Sequence, residues 1–252
     1  MKILKTEQLS KFFDGLKALN GVNIDVDKQT LTLIIGPNGS GKTTFINTVC
    51  GFYKPDGGKI YFEGKDITGL PPNKVYEMGM VRTFQIPQPL KKLTVLENLL
   101  ISEKHVGESI LKTLRYSCWL KKEEELVEKA FKILEFLKID HLWDVESYKL
   151  SGGQLKLVEV GRALMTNPKM IVTDEPIAGI APALAHEILE RFLDLRNVGI
   201  TFLIVEHRLD IVMSYVDFVY VMANGEVISK GKPEDVMNDP RVVEVYLGGE
   251  NA

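Results

Sequence analysis

The string Gly36-Pro37-Asn38-Gly39-Ser40-Gly41-Lys42-Thr43-Thr44 follows an almost unbroken apolar run, Thr30-Leu31-Thr32-Leu33-Ile34-Ile35, and opens a stretch of helical composition from Thr43 to Cys50. Strand, glycine loop and helix in that order leave few folds open. The apolar run reads as a buried strand, and Gly51 supplies a stop for the helix. After Pro168 the chain alternates again: strand Met170 to Thr173, helix near Pro182 to Asn197, strand Ile200 to Val205, a helix after His207, and strands Phe218 to Ala223 and Glu226 to Ser229. Such alternation predicts an α/β fold with a mainly parallel sheet covered by helices.

Before the loop, Gly21 to Val26 alternates in period two, as a half-buried strand does, and a further strand from Lys59 to Glu63 follows the turn Pro55-Asp56-Gly57-Gly58. From Thr94 to about Leu137 the pattern becomes helical. Leu126, Val127, Ala130, Phe131, Ile133, Leu134 and Leu137 recur at three- and four-residue spacing, and Glu123, Glu124, Glu125 and Glu128 suit the positive N-terminal end of that helix. These patterns predict a core of residues 1–85 and 161–252 with a helical subdomain, 86–160, inserted between its halves. The tail after Pro240 is expected to pack through Val242, Val243, Val245 and Leu247.

Composition narrows the function classes. In 252 residues, 45% apolar and 26% charged with a net charge of −3, Lys and Arg are scattered among acids, so no basic field for nucleic acid arises. Cys50 and Cys118 show no metal-ligand spacing and read as reduced packing residues. Met1 to Glu7 lacks the apolar stretch of a secretory signal, and the runs Leu31 to Ile35 and Phe218 to Ala223 are too short to cross a bilayer. The expectation is a chain soluble by itself, able to dock on a membrane partner.

Gly36 to Thr43 fits G-x-x-x-x-G-K-[ST] in the context that pattern needs, between a strand and a helix. Its glycines let backbone N–H groups turn inward, and the helix adds its positive end to the same spot, so phosphate is the natural guest. Lys42 is placed for β- and γ-phosphates and the Thr43 hydroxyl for Mg²⁺. Asp174 and Glu175 emerge where a strand ends before Pro176, at the sheet edge the loop shares. Asp174 is then a metal ligand and Glu175 a general base for water. An Asp-Glu pair by itself would usually be a solvated turn; the phosphate loop changes that reading. His207, after Glu206 at the end of another strand, is placed for a γ-phosphate contact. Gln85, after Arg82-Thr83-Phe84, sits where the core gives way to the helical part and can reach Mg²⁺ or water.

Ser151-Gly152-Gly153-Gln154 opens a helix through Leu155, Val158, Gly161, Arg162 and Leu164, and its small residues make a second anion-binding helix start. One chain has one phosphate loop. A twofold, head-to-tail pair would set each such motif against the partner's nucleotide, whereas the plain alternative is that Ser151 merely caps its helix.

Taken together, these strings resemble the ATP-binding cassette (ABC) ATPases over essentially the whole chain. The resemblance implies a P-loop NTPase (RecA-like) core, an N-terminal antiparallel β-subdomain and an inserted helical subdomain carrying the Ser151–Gln154 signature, with ATP and Mg²⁺ as ligands. It implies Phe13, within Lys11-Phe12-Phe13-Asp14-Gly15, as the aromatic stacking on adenine, with Phe12 a neighbouring competitor. It supports the roles of Lys42, Thr43, Gln85, Ser151, Gly153, Asp174, Glu175 and His207. Many members carry an Asp-bearing loop after the catalytic Glu. Here Ala178-Gly179-Ile180-Ala181-Pro182 stands instead, so the carboxylate contact across the dimer does not transfer.

Within that family, Val81-Arg82-Thr83-Phe84-Gln85, Thr94 to Leu99, Pro176 to Pro182, Val245-Tyr246-Leu247-Gly248 and the added segment Val106 to Lys122 with Trp119 resemble the ATPases of branched-chain amino acid importers. That implies a second ATPase subunit, two membrane permease subunits, an extracytoplasmic solute-binding protein reached indirectly, and a peripheral place on the cytoplasmic face of the membrane. Other cargo, such as urea, amides or an exported lipid, is the main alternative. A soluble ABC ATPase of DNA repair or translation would usually bring coiled coils, a zinc site or two cassettes, and a P-loop kinase would leave Ser151 to Gln154 without a purpose.

Overall fold

The computed structural model describes residues 1–83, 89–103 and 116–247, except for the side chains of 116–121 and 246–247. Gln85, Gly248, most of the Val106 to Lys122 segment and the side chains of Cys118 and Trp119 lie outside the described residues. The chain divides into two compact units, Met1–Gln85 with Lys169–Ala252, and Ile86–Pro168. The first unit resumes at Lys169 and not at 161, because the helix Gly152–Leu164 runs unbroken through Gly161.

In the first unit an antiparallel sheet is built on β1 (Lys2–Phe13), flanked by β2 (Leu16–Val22) and β3 (Asp25–Asp27) on one side and by β5 (Gly57–Phe62) and then β6 (Lys65–Asp66) on the other. The alternating segment Gly21 to Val26 is therefore two strands, not one. Buried Thr6 fills the break: its Oγ1 accepts from Ile24 N at 2.9 Å and donates to Val22 O at 3.2 Å, satisfying two backbone groups where the ladder is interrupted.

The second sheet runs β11 (Glu226–Gly231), β10 (Phe218–Ala223), β4 (Leu31–Ile35), β9 (Thr201–Val205), β8 (Met170–Asp174) and β7 (Met80–Thr83). All neighbours are parallel except the β10–β11 hairpin. β4, β8 and β9 are buried along their whole length, which is why they read as mainly apolar runs and not as a polar–apolar alternation. Phe192 of helix Pro182–Asn197 stacks on Phe202 with centroids 4.6 Å apart, a contact worth about 0.5–1.5 kcal/mol beyond its buried area. Helix Lys42–Val49 sends Phe45, Ile46 and Val49 into the core shared by Ile34, Val172, Leu203 and Val205. The register pairs Ile34 with Val205 and Val205 with Asp174, so three strands finish together at one edge.

In the tail, helix Pro240–Leu247 buries Val242, whereas Val243, expected to pack, is exposed. Adjacent helical positions face different ways, so only one of the pair reaches the sheet side.

The second unit is helical. Thr94 caps Val95–Leu100 in a reciprocal box with Glu97, and buried Asn98 ties the unit's loops together by donating to Thr94 O at 2.9 Å and Ser147 Oγ at 2.8 Å while accepting from Leu90 N at 2.8 Å. The long helix Tyr116–Phe136 buries Leu126, Ala130 and Leu134. It begins ahead of the glutamates assigned to its first turn. Glu123, Glu124, Glu125 and Glu128 are mid-helix, and Glu128 pairs with Lys132 one turn on at 2.6 Å, a solvated contact in place of a dipole contact. Among the described residues no helix is long and apolar enough to cross a membrane.

Candidate functional site

The loop after β4 wraps a helix start. Gly36 has φ +150° and Gly41 φ +100°. A Cβ on Gly36 would stand 2.0 Å from Met222 O, and one on Gly41 2.4 Å from Ala18 O, so backbone packed on both sides admits only glycine. Ser40 is buried beneath the loop, and its carbonyl accepts from Gly225 N at 3.1 Å. Lys42 is buried as well. Its Nζ donates to Gly36 O at 2.8 Å and Pro37 O at 2.9 Å, spanning the mouth of the loop. Burial lowers its pKa, against the opposing pull of Asp174 and Glu175.

A cavity of about 510 Å³ lies over this loop. The loop side supplies Asn38, Gly39, Gly41, Lys42, Thr43 and Thr44, and the facing strand ends supply Asp174, Glu175 and His207. Phe13 also lines it; Phe12 does not. The Phe13 ring is held by Tyr53, edge-on at 5.2 Å, and by Lys11 Nζ, 5.2 Å from its centroid. Of the loop residues singled out in the sequence, Gly36, Pro37 and Ser40 shape and support the loop without lining the cavity.

Thr43 Oγ1 donates to Asp174 Oδ2 at 3.4 Å, so the hydroxyl and the carboxylate assigned to a cation do converge. Burial raises the Asp174 pKa, opposed mainly by Arg82, whose Nη2 is 3.8 Å from Oδ2. Two oxygen donors of this kind, with room in the cavity for phosphate oxygens and water, fit Mg²⁺. Among the described residues no group of three or more His, Cys, Asp or Glu is placed to hold a metal ion.

Glu175 takes a left-handed backbone, φ +50°, at a cost of about 1–2 kcal/mol for a non-glycine residue. The turn is held because Glu175 N donates to Val205 O at 2.8 Å. It brings Glu175 Oε1 within 3.3 Å of His207 Nε2. Behind them, buried Glu206 accepts from Ile177 N at 2.8 Å and His207 N at 3.0 Å.

Ser151 to Gln154 belong to the second unit. Ser151 caps the helix Gly152–Leu164: its Oγ accepts from Gln154 N at 3.3 Å and Gln154 Oε1 accepts from Ser151 N at 2.9 Å. Ser151 and Gly152 are exposed, but Gly153 is buried, so the exposed part of this helix start is shorter than the motif.

Two residues at the site escaped sequence reasoning, Arg82 and Glu206. Arg82 in β7 also hydrogen-bonds Asn47 Oδ1 and lies over Phe52. A charge inside a four-residue strand and a carboxylate directly before His207 were the signals available.

The chain is similar to known proteins over essentially its whole length. A family profile described as ABC transporter matches residues 19–178, and one described as branched-chain amino acid ATP-binding cassette transporter matches residues 226–252. A probable branched-chain amino acid transport ATP-binding protein LivG of Archaeoglobus fulgidus is 65% identical over 252 residues, covering 100% of this chain and 98% of that protein. The high-affinity LivG protein of Escherichia coli is 36% identical, covering 98% of each. A crystal structure of a nucleotide-free ATP-binding cassette from an ABC transporter superposes with a TM-score of 0.86 at 61% identity, over 98% of this chain and 99% of that one. The chain belongs to the ABC transporter family, as one of its ATP-binding cassettes.

Proposed function

We propose that this cassette hydrolyses ATP to drive a membrane importer of branched-chain amino acids. The observation that carries the catalytic part is the convergence of two pairs, Thr43 with Asp174 and Glu175 with His207, over one glycine loop at the carboxyl edge of the sheet. The cargo rests on the relatives' names and on the match over residues 226–252.

Phe13 stacks on the adenine, while the N–H groups of Asn38 to Thr44 and the Lys42 ammonium cradle the phosphates. Thr43 and Asp174, with Gln85 assigned from sequence, hold a Mg²⁺ that neutralises charge on the phosphates. Glu175 accepts the proton of the attacking water, and His207 contacts the γ-phosphate from its place beside that carboxylate. Ser151 to Gln154 complete the site of a second ATPase subunit, so that ATP closes the pair and hydrolysis releases it. The pair sits on the cytoplasmic face of the membrane against two permease subunits, and an extracytoplasmic binding protein delivers the substrate.

Glu175→Gln tests this reading. The amide keeps the shape of the side chain beside His207 but cannot take a proton, so ATP binding persists, turnover falls by about 10²–10⁴-fold, and ATP traps a dimer visible by size-exclusion chromatography. Undiminished hydrolysis by this variant would remove Glu175 from its role.

A further inference from the structure

Glu206 stands directly after β9 and is 1% exposed. Its carboxylate is forked between two loops. Oε1 accepts from Ile177 N at 2.8 Å, in the loop that follows Glu175; Oε2 accepts from His207 N at 3.0 Å and more weakly from Arg208 N at 3.5 Å. Arg208 reinforces the same join, its Nη1 donating to Ile180 O at 3.0 Å. Among the described contacts of Glu206, every partner is a backbone N–H group and none is a cationic side chain.

Burying a carboxylate among backbone donors is costly unless all of its hydrogen bonds are made. Burial does raise the Glu206 pKa, while the three N–H groups pull the other way. The fork therefore has a geometric consequence that a neutral residue could not reproduce: a carboxylate accepts on both oxygens, whereas an amide of the same shape presents one acceptor and one donor. The two loops it joins are the ones that carry Glu175 and His207, whose side chains meet at 3.3 Å.

We infer that Glu206 is a positioning residue for hydrolysis, a carboxylate clamp that sets the Glu175 and His207 side chains against each other by fixing the backbone of both loops. The inference rests on the roles proposed above for those two residues. It also supplies, within one chain, a tie between the loops at the place where Ala178 to Pro182 offers no carboxylate of its own.

The test uses the full chain with Glu206→Gln and Glu206→Ala, measuring kcat and KM for ATP and counting binding-competent sites with a fluorescent ATP analogue. Glu206→Gln lowers kcat per competent site about 10-fold and Glu206→Ala about 10²-fold, the scale of a misplacement near 1 Å, while the nucleotide Kd moves by less than about threefold. A role in stability alone would reduce the number of competent sites and leave kcat per site intact. A double-mutant cycle adds a second readout: in the Glu206→Ala background, His207→Ala should cost far less than in the wild type, because the histidine is already displaced. Unchanged kcat per site in Glu206→Gln, or a His207→Ala effect of full size in both backgrounds, overturns the clamp. Glu175→Gln separates the two levels of the argument: if it abolishes turnover while Glu206→Gln keeps full kcat, only the clamp fails, and if Glu175→Gln hydrolyses ATP normally, the underlying assignment fails first.

Discussion

Glu175 Oε1 and His207 Nε2 lie 3.3 Å apart because β8 and β9 are parallel neighbours in register, Asp174 opposite Val205. β8 delivers Glu175 one residue past its end and β9 delivers His207 two residues past its own, to the same point. The contact is made by sheet register, with the left-handed turn at Glu175 aiming the carboxylate.

His207→Ala should therefore impair chemistry more than binding. Glu175 loses its neighbour and the γ-phosphate loses a contact, but the loop from Asn38 to Thr44 is untouched. The expected result is a fall in kcat of about 10²-fold or more with little change in nucleotide affinity, read from steady-state phosphate release alongside equilibrium binding. A variant with unchanged kcat and a raised KM would instead assign His207 to ground-state binding.

The two adjacent phenylalanines make a paired test of the adenine platform. Only Phe13 lines the cavity, with Tyr53 and Lys11 fixing its ring. At about 1–3 kcal/mol per stacked base, Phe13→Ala should weaken ATP binding by roughly 5- to 150-fold, whereas Phe12→Ala should leave it near the wild-type value. Titration with a fluorescent ATP analogue distinguishes them, and equal losses in both variants would remove Phe13 from its special place.

Asp239 gives a pH-dependent prediction. It accepts from Ser229 Oγ at 2.6 Å and from Arg241 Nη2 at 2.7 Å just before the last described helix. Hydrogen bonds from Arg241 first, then from Ser229, hold its carboxyl well below the ordinary 3.8. A depressed carboxylate stabilises the fold fully above the unfolded value, and that contribution fades as pH falls from 3.8 through the lower folded value. Asp239→Asn should thus lower the urea midpoint at about pH 6, and the gap to the wild type should shrink as pH is taken from about 4 to about 2. A gap independent of pH would show that the charge is irrelevant.

The sequence was most legible where one interaction dominates a segment. The buried strands β4, β8 and β9 announce themselves by largely apolar runs, and the glycine loop by its position between strand and helix. The roles at the loop came from its motif set between strand and helix, and Phe13 by family resemblance, neither from periodicity. Legibility failed where the outcome depends on a distant partner. Gly21 to Val26 alternates like one strand, yet Thr6, far away in sequence, stabilises a break in it. The glutamates at 123–125 resembled a helix start because the apolar repeat begins near them, but helical residues precede the repeat. Glu206 and Arg82 carried only the weak local signals of a carboxylate beside His207 and a charge in a short strand; nothing local reveals that the first will bridge two loops or that the second will face Asp174.

Ser151 offers the sharpest test of the paired-cassette reading, since it now has a demonstrated local occupation. Its Oγ caps Gln154 N, a contact typically worth about 1 kcal/mol. A loss of ATP-driven dimerisation in Ser151→Ala could thus come from a frayed helix alone. Ser151→Asp separates the two effects, because aspartate caps as well as serine but places a negative charge where a partner's triphosphate is to sit. The expected outcome is a thermal midpoint close to wild type for Ser151→Asp, with ATP-dependent association lost even in the Glu175→Gln background that otherwise traps the pair. If Ser151→Asp dimerises normally with ATP, the helix start at Ser151 does not meet nucleotide, and capping is its whole contribution.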